Sequence, residues 1–95
     1  MDESTRKQVK ARLRRISGQI AGIERMVDED RYCVDILLQI AAARAALGAV
    51  GRLVLGNHVE TCVAEAFRSG QARDRREKID ELMEVFARFG SLGGR

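Results

Sequence analysis

The stretch Arg31–Val63, RYCVDILLQIAAARAALGAVGRLVLGNHVETCV, decides the fold. It contains no proline and is far too long for a strand, so it predicts a helix, although Gly48, Gly51 and Gly56 each weaken one by roughly 1 kcal/mol relative to Ala. The same stretch holds both cysteines, the only histidine and the only tyrosine of the 95 residues.

His58 and Cys62 are four positions apart, which on a helix places them on one face, one turn apart. Cys33 sits at the other end, and a straight helix would keep it about 43 Å from Cys62. A second copy laid antiparallel closes the gap. With the two-fold axis near Leu47–Gly48, Cys33 of one chain meets His58 and Cys62 of the other, and the arrangement repeats at the far end. The sequence at that crossing, AAARAALGAVG, is small enough for two backbones to approach closely.

Outward from this helix, the first thirty residues predict another. Ser4 or Thr5 is the expected N-cap. Val9, Leu13, Ile16, Ile20, Ile23 and Val27 then alternate in steps of four and three, a heptad seam running to about Asp28. Lys7, Lys10 and Arg14 fall away from the seam, and Arg12 and Arg15 flank it. Asp28-Glu29-Asp30 breaks the two helices, with Asp30 expected to cap the second. The long helix should run to about Arg68 and stop at Ser69-Gly70. After the charged connection QARDRREK, Ile79, Leu82, Met83, Phe86 and Phe89 mark a third, amphipathic helix, and residues 90–95 read as a flexible tail. The expectation is a single all-α domain, residues 1–95, with one long central helix.

Composition agrees. Hydrophobic residues reach 45% while aromatics are only 4% and charged residues 33%, which favours helices that finish their core by association. The opening MDESTRKQVK has no apolar segment and no uninterrupted run of 18 apolar residues follows, so neither a signal peptide nor a membrane span is expected and the cytoplasm is the expected location. Cysteines there bind metal, react or stay idle more often than they form structural disulfides.

Two thiols and an imidazole are a soft ligand set suited to Cu(I) or Zn(II). Three ligands complete a trigonal Cu(I) site, whereas structural zinc needs a fourth, from a carboxylate or water. The plainer alternative is that the cysteines are small buried hydrophobes and the histidine a polar contact. No catalytic triad, phosphate-binding loop or paired carboxylates stand out, so an enzyme is not expected. The cluster Arg6, Lys7, Lys10, Arg12, Arg14 and Arg15 reads either as a solvated face or as contacts to DNA phosphates.

RLRRISGQIAGIERMVDEDRYCVDILLQI (Arg12–Ile40) and NHVETCVAEAF (Asn57–Phe67), with a looser match at Ile79–Leu82, resemble the copper-sensing operon repressors, the CsoR-type group of bacterial DNA-binding regulators. The resemblance implies a three-helix protomer, an antiparallel dimer with a four-helix core, and a tetramer made as a dimer of dimers. It implies Cu(I) held by Cys33 of one protomer and His58 and Cys62 of the other, with Tyr32 and Glu81 hydrogen-bonding near His58. The additional histidines of nickel and cobalt sensors, and the proline of formaldehyde sensors, are missing here. Relatives often carry paired basic residues where this chain has Gly48 and Ala49, and commonly Glu where it has Ser17. Lys10, Arg12, Arg14 and Arg15 are therefore the main expected DNA contacts, with Arg44 and Arg52 behind them.

The implied function is a transcriptional repressor that binds operator DNA metal-free and releases it on binding Cu(I). The alternative is a sulfane-sulfur sensor of the same fold that bridges Cys33 and Cys62 between chains. A copper-storage or transfer protein without a DNA role is a third reading.

Overall fold

The computed structural model of the chain describes residues 1–89; the expected tail, Gly90–Arg95, lies outside the described residues. Three helical arms make up the fold. Helix α1 spans Glu3–Asp28. Helix α2 spans Cys33–His58 and runs on through a π turn, Val59–Val63, into a last α segment, Ala64–Arg68. Helix α3 spans Ala72–Phe89.

Helix α1 starts earlier than its Ser and Thr suggest. Asp2, in extended geometry, is the N-cap, and its Oδ1 accepts the Thr5 N–H at 2.8 Å. Neither Ser4 nor Thr5 caps the helix; the Ser4 hydroxyl instead accepts from Gln8 one turn on, at 3.4 Å. A carboxylate at the positive end of a helix gains from both the orphan N–H groups and the dipole, which is why Asp2 outcompetes the hydroxyls behind it.

Asp30 also takes a different part from the one expected. It does not cap α2 but closes α1. Its backbone is left-handed, at φ 52°, its N–H donates to the Val27 carbonyl at 3.1 Å, and the Arg31 N–H reaches back to Met26 at 2.9 Å. These two bonds form a Schellman closure, with Asp at the position glycine usually fills. Helix α2 then begins at Cys33, with Tyr32 as an N-cap that makes no side-chain bond, and Asp35 supplies the acidic residue of its first turn.

The turn brings α2 back along α1 as an antiparallel pair. Val9, Ile16 and Val50 form the buried core, backed by Ala46, Leu53 and Val54. The heptad seam is only partly covered: Ile16 is 4% exposed, but Leu13, Ile20 and Val27 remain open on the same face. On α2, Leu37 and Leu38 are 61% and 62% exposed, and Val34, Ile40 and Leu47 are also open. The chain exposes 7235 Å², whereas a compact monomer of its mass exposes about 5,500 Å². Its radius of gyration is 17.5 Å, against about 12 Å for a compact chain of this length. The apolar faces of α1 and α2 named above therefore stay uncovered within the single chain.

By length and mean hydropathy, 1.7, the helix Cys33–Arg68 could cross a bilayer, although no uninterrupted apolar run marks it. Arg44 and Arg52 fall in its middle half, where each would cost roughly 3 kcal/mol in a membrane. Protein surface is the less costly cover.

The α2–α3 corner forms where expected. Gly70 is left-handed at φ 74°, and the Ser69 hydroxyl lies 2.8 Å from the Ala66 carbonyl and 3.3 Å from Asp74 in the first turn of α3.

Candidate metal centre

His58 is the last α-helical residue of α2, and its half-buried ring looks across to α3. Its Nε2 lies 3.8 Å from Oε1 of Glu81, whose other oxygen lies 3.8 Å from the Lys78 ammonium. Gly51, Val54, Leu55 and Val85 join these two residues in lining a groove of 470 Å³. The groove is apolar except at His58 and Glu81. With Nε2 turned to the carboxylate, Nδ1 is the nitrogen left for a ligand. A carboxylate behind the non-ligating nitrogen is the usual way a metal-binding histidine is oriented.

Cys62 follows within the π turn. The sequence VETCV places β-branched residues at alternate positions, and such side chains crowd an α-helix. The Thr61 hydroxyl also bonds back to the Asn57 carbonyl at 2.9 Å, a contact that bends helices. A wider turn rotates each residue less about the axis, so Cys62 is set back relative to its place in plain α geometry. The sequence predicts ordinary helix here; the alternating β-branched run is the signal for something else. The Thr61 hydroxyl lies 3.5 Å from the Cys62 sulfur, and both cysteines are free and exposed.

Cys33 opens α2, at the opposite end of the helix from His58. Tyr32, 69% exposed, stands beside it. One chain therefore brings His58 and Glu81 together, keeps Cys62 a turn away, and leaves Cys33 and Tyr32 remote. Among the described residues no three His, Cys, Asp or Glu side chains are grouped to hold a metal.

The basic residues divide in two. Lys10 and Arg14 line one groove of α1 with Glu3, Arg6 and Lys7. Arg12 and Arg15 line another, against Ile16, Gln19 and Ala46. Arg44 and Arg52 line neither groove. Arg6 and Lys7, which the sequence places in the basic cluster but not among the main expected contacts, belong to the first group by position, at three- and four-residue steps from Lys10 and Arg14.

Residues 5–88 match the family described as metal-sensitive transcriptional repressors. The copper-sensing transcriptional repressor CsoR of Bacillus subtilis is 49% identical over 82 residues, covering 86% of this chain and 78% of that protein. The crystal structure of the copper-sensing repressor CsoR with Cu(I) from Geobacillus thermodenitrificans superposes with a TM-score of 0.84 at 40% identity, covering 95% of this chain and 91% of that one. The nickel-responsive regulator InrS is also similar, at TM-score 0.74 and 38% identity, covering 87% of this chain and 90% of that one. With its fold and nearly its whole length matched, the chain belongs to the metal-sensitive transcriptional repressors, in their CsoR-type branch.

Proposed function

We propose that this protein is a Cu(I)-responsive transcriptional repressor, acting in the cytoplasm as a single domain over residues 1–95, that binds operator DNA metal-free and releases it on binding Cu(I). The observation that carries the reading is His58, held at the end of α2 beside Glu81, with one thiol a turn beyond it and the other at the far end of the same helix.

The donor set fits Cu(I): two free thiols and an imidazole with one ring nitrogen turned to a carboxylate. Within one chain the three cannot meet, so Cys33 of one protomer joins His58 and Cys62 of an antiparallel partner. The uncovered apolar flanks of α1 and α2 support that pairing, and a dimer of dimers completes the cover. Bound there, Cu(I) supplies soft, low-coordinate bonds that join two chains. The protein's own residues do the rest. Cys33 and Cys62 present sulfur, and His58 presents Nδ1. Glu81 orients the ring and links it to α3, and Tyr32 adds a hydroxyl near the site from beside Cys33.

Lys10, Arg12, Arg14 and Arg15, with Arg44 and Arg52 behind them, neutralise DNA phosphates in the metal-free state. Release requires the metal-bound state to hold DNA at least roughly 100-fold more weakly, about 2.7 kcal/mol of coupling. The proposed function is that of a regulator and not of an enzyme, as with the relatives, which are named as transcriptional repressors. The sulfur-sensing alternative has less behind it, because relatives at 49% and 48% identity are named for copper.

The test is a DNA-binding titration. Cys33→Ala and His58→Ala are expected to bind operator DNA as the wild type does and to ignore copper. A His58→Ala protein that still lets go of DNA on Cu(I) addition would refute the mechanism.

A further inference from the structure

We infer that Thr61, Asn57 and Asp2 form a hydrogen-bonded relay that carries the state of Cys62 to the first turn of α1. The inference rests on the reading of Cys62 as a ligand.

Asn57 is buried, 6% exposed, although it is polar. Its Nδ2 donates to Oδ2 of Asp2 at 2.5 Å, joining positions 55 apart in sequence. The other oxygen of Asp2 accepts the Thr5 N–H. One carboxylate therefore both starts α1 and holds the far end of α2, immediately before His58. Buried polar groups are kept where their bonds are satisfied, and this one is satisfied by the helix that carries Arg6, Lys7, Lys10 and Arg14.

The other end of the relay is a choice. The Thr61 hydroxyl bonds to the Asn57 carbonyl at 2.9 Å and lies 3.5 Å from the Cys62 sulfur. A hydroxyl has one hydrogen to give, so it serves the carbonyl or the sulfur. A ligating thiolate is the more electron-rich acceptor, and hydrogen bonds to charged acceptors are the stronger ones. Turning the hydroxyl toward sulfur releases the Asn57 carbonyl and relaxes the back-bond at the π turn. The Asn57 backbone then moves, and with it the amide that grips Asp2. Residues 57–62 thereby link the metal end of α2 to the end of α1 that begins its basic face. Asn57, Thr61 and Asp2 are positioning residues and touch neither metal nor DNA.

Two variants of the full chain test the relay. Thr61→Val removes the hydroxyl at constant shape. Asp2→Ser keeps an N-cap but is too short to reach Asn57. Each is measured for metal-free DNA affinity, for Cu(I) affinity by chelator competition, and for hydrogen exchange at the Thr5 amide with and without Cu(I). Both variants are expected to hold metal-free DNA and Cu(I) within about threefold of wild type, yet to lose at least about tenfold of the Cu(I)-induced weakening of DNA binding. Thr61→Ser is expected to restore it. Thr5 exchange should change on Cu(I) binding in the wild type and not in Thr61→Val. An equal change in Thr61→Val overturns the relay, as does full DNA release by both variants. A wild type that binds Cu(I) without releasing DNA refutes the repressor reading, and the Thr5 exchange still decides the relay. A wild type that takes up no Cu(I) removes both.

Discussion

Nε2 of His58 and Oε1 of Glu81 face each other at 3.8 Å across the groove between α2 and α3. At that distance the two are poised rather than tightly bonded, and small movements of α3 change what the ring feels. Glu81→Gln keeps the shape and removes the charge. Cu(I) affinity or DNA release is expected to fall about 10- to 100-fold, the usual cost of losing the partner behind a ligating histidine. Chelator competition and a DNA titration measure the two separately, and unchanged values in both would show that Glu81 is a bystander.

Asp30 invites a comparison of substitutions. Its left-handed backbone suits glycine and, less well, Asp or Asn. Asp30→Gly should fold at least as well as wild type, whereas Asp30→Val should lie roughly 1–2 kcal/mol below Asp30→Gly. Chemical denaturation at fixed protein concentration gives both numbers.

The carboxyl of Asp2 is held below its ordinary value of 3.8, chiefly by the Thr5 backbone N–H, then by the Thr5 hydroxyl and the Asn57 amide. A depressed folded pKa gives stability that is present above the unfolded pKa and is lost as pH falls through the folded one. Melting curves of the wild type should therefore decline on acidification below about pH 3.8 more steeply than those of Asp2→Asn, which has no charge to lose there. Parallel declines would show that other groups control the acid limb.

Leu37 and Leu38 test whether the open face of α2 is the proposed interface between chains. Leu37→Glu is expected to leave single chains in sedimentation velocity and to lower helicity together with mass. A variant that still sediments as an oligomer would place the contact elsewhere on α2.

The two basic grooves make separable predictions about DNA. Deleting one cation that neutralises a phosphate makes the plot of log affinity against log salt shallower by about 0.9. Lys10→Ala and Arg14→Ala should each produce that drop if the groove they share with Arg6 and Lys7 follows the backbone. Arg12→Ala and Arg15→Ala report on the other groove in the same way, and a slope unchanged by either pair clears that groove of phosphate binding.

Much of this architecture is legible in the residues. The seam from Val9 to Val27 and the length of Arg31–Val63 mark two long helices, and Ser69-Gly70 marks the corner, because periodicity and left-handed turns leave direct traces. Helix ends are harder. Ser4 and Thr5 look like caps, but Asp2 lies earlier with a charge that binds the same N–H groups better. Asp30 looks like a start and is a finish, since a short acidic break does not say which helix it serves. The π turn leaves one faint trace, the alternating Val59, Thr61 and Val63, and the Asn57–Asp2 contact leaves none, because it depends on a fold that joins positions 2 and 57. For the site, spacing separates Cys33 from His58 and Cys62 within one chain, while Glu81 beside His58 is implied by the family resemblance and not by spacing, because their facing needs the groove between α2 and α3.

The bare leucines of α2 bear on how such a regulator would behave in a cell. Where a twin must cover such a face, the population of competent molecules rises faster than the copy number. Under the two-chain reading, a cell that halves its supply would dull its response to the signal by more than half, before any ligand or promoter had changed.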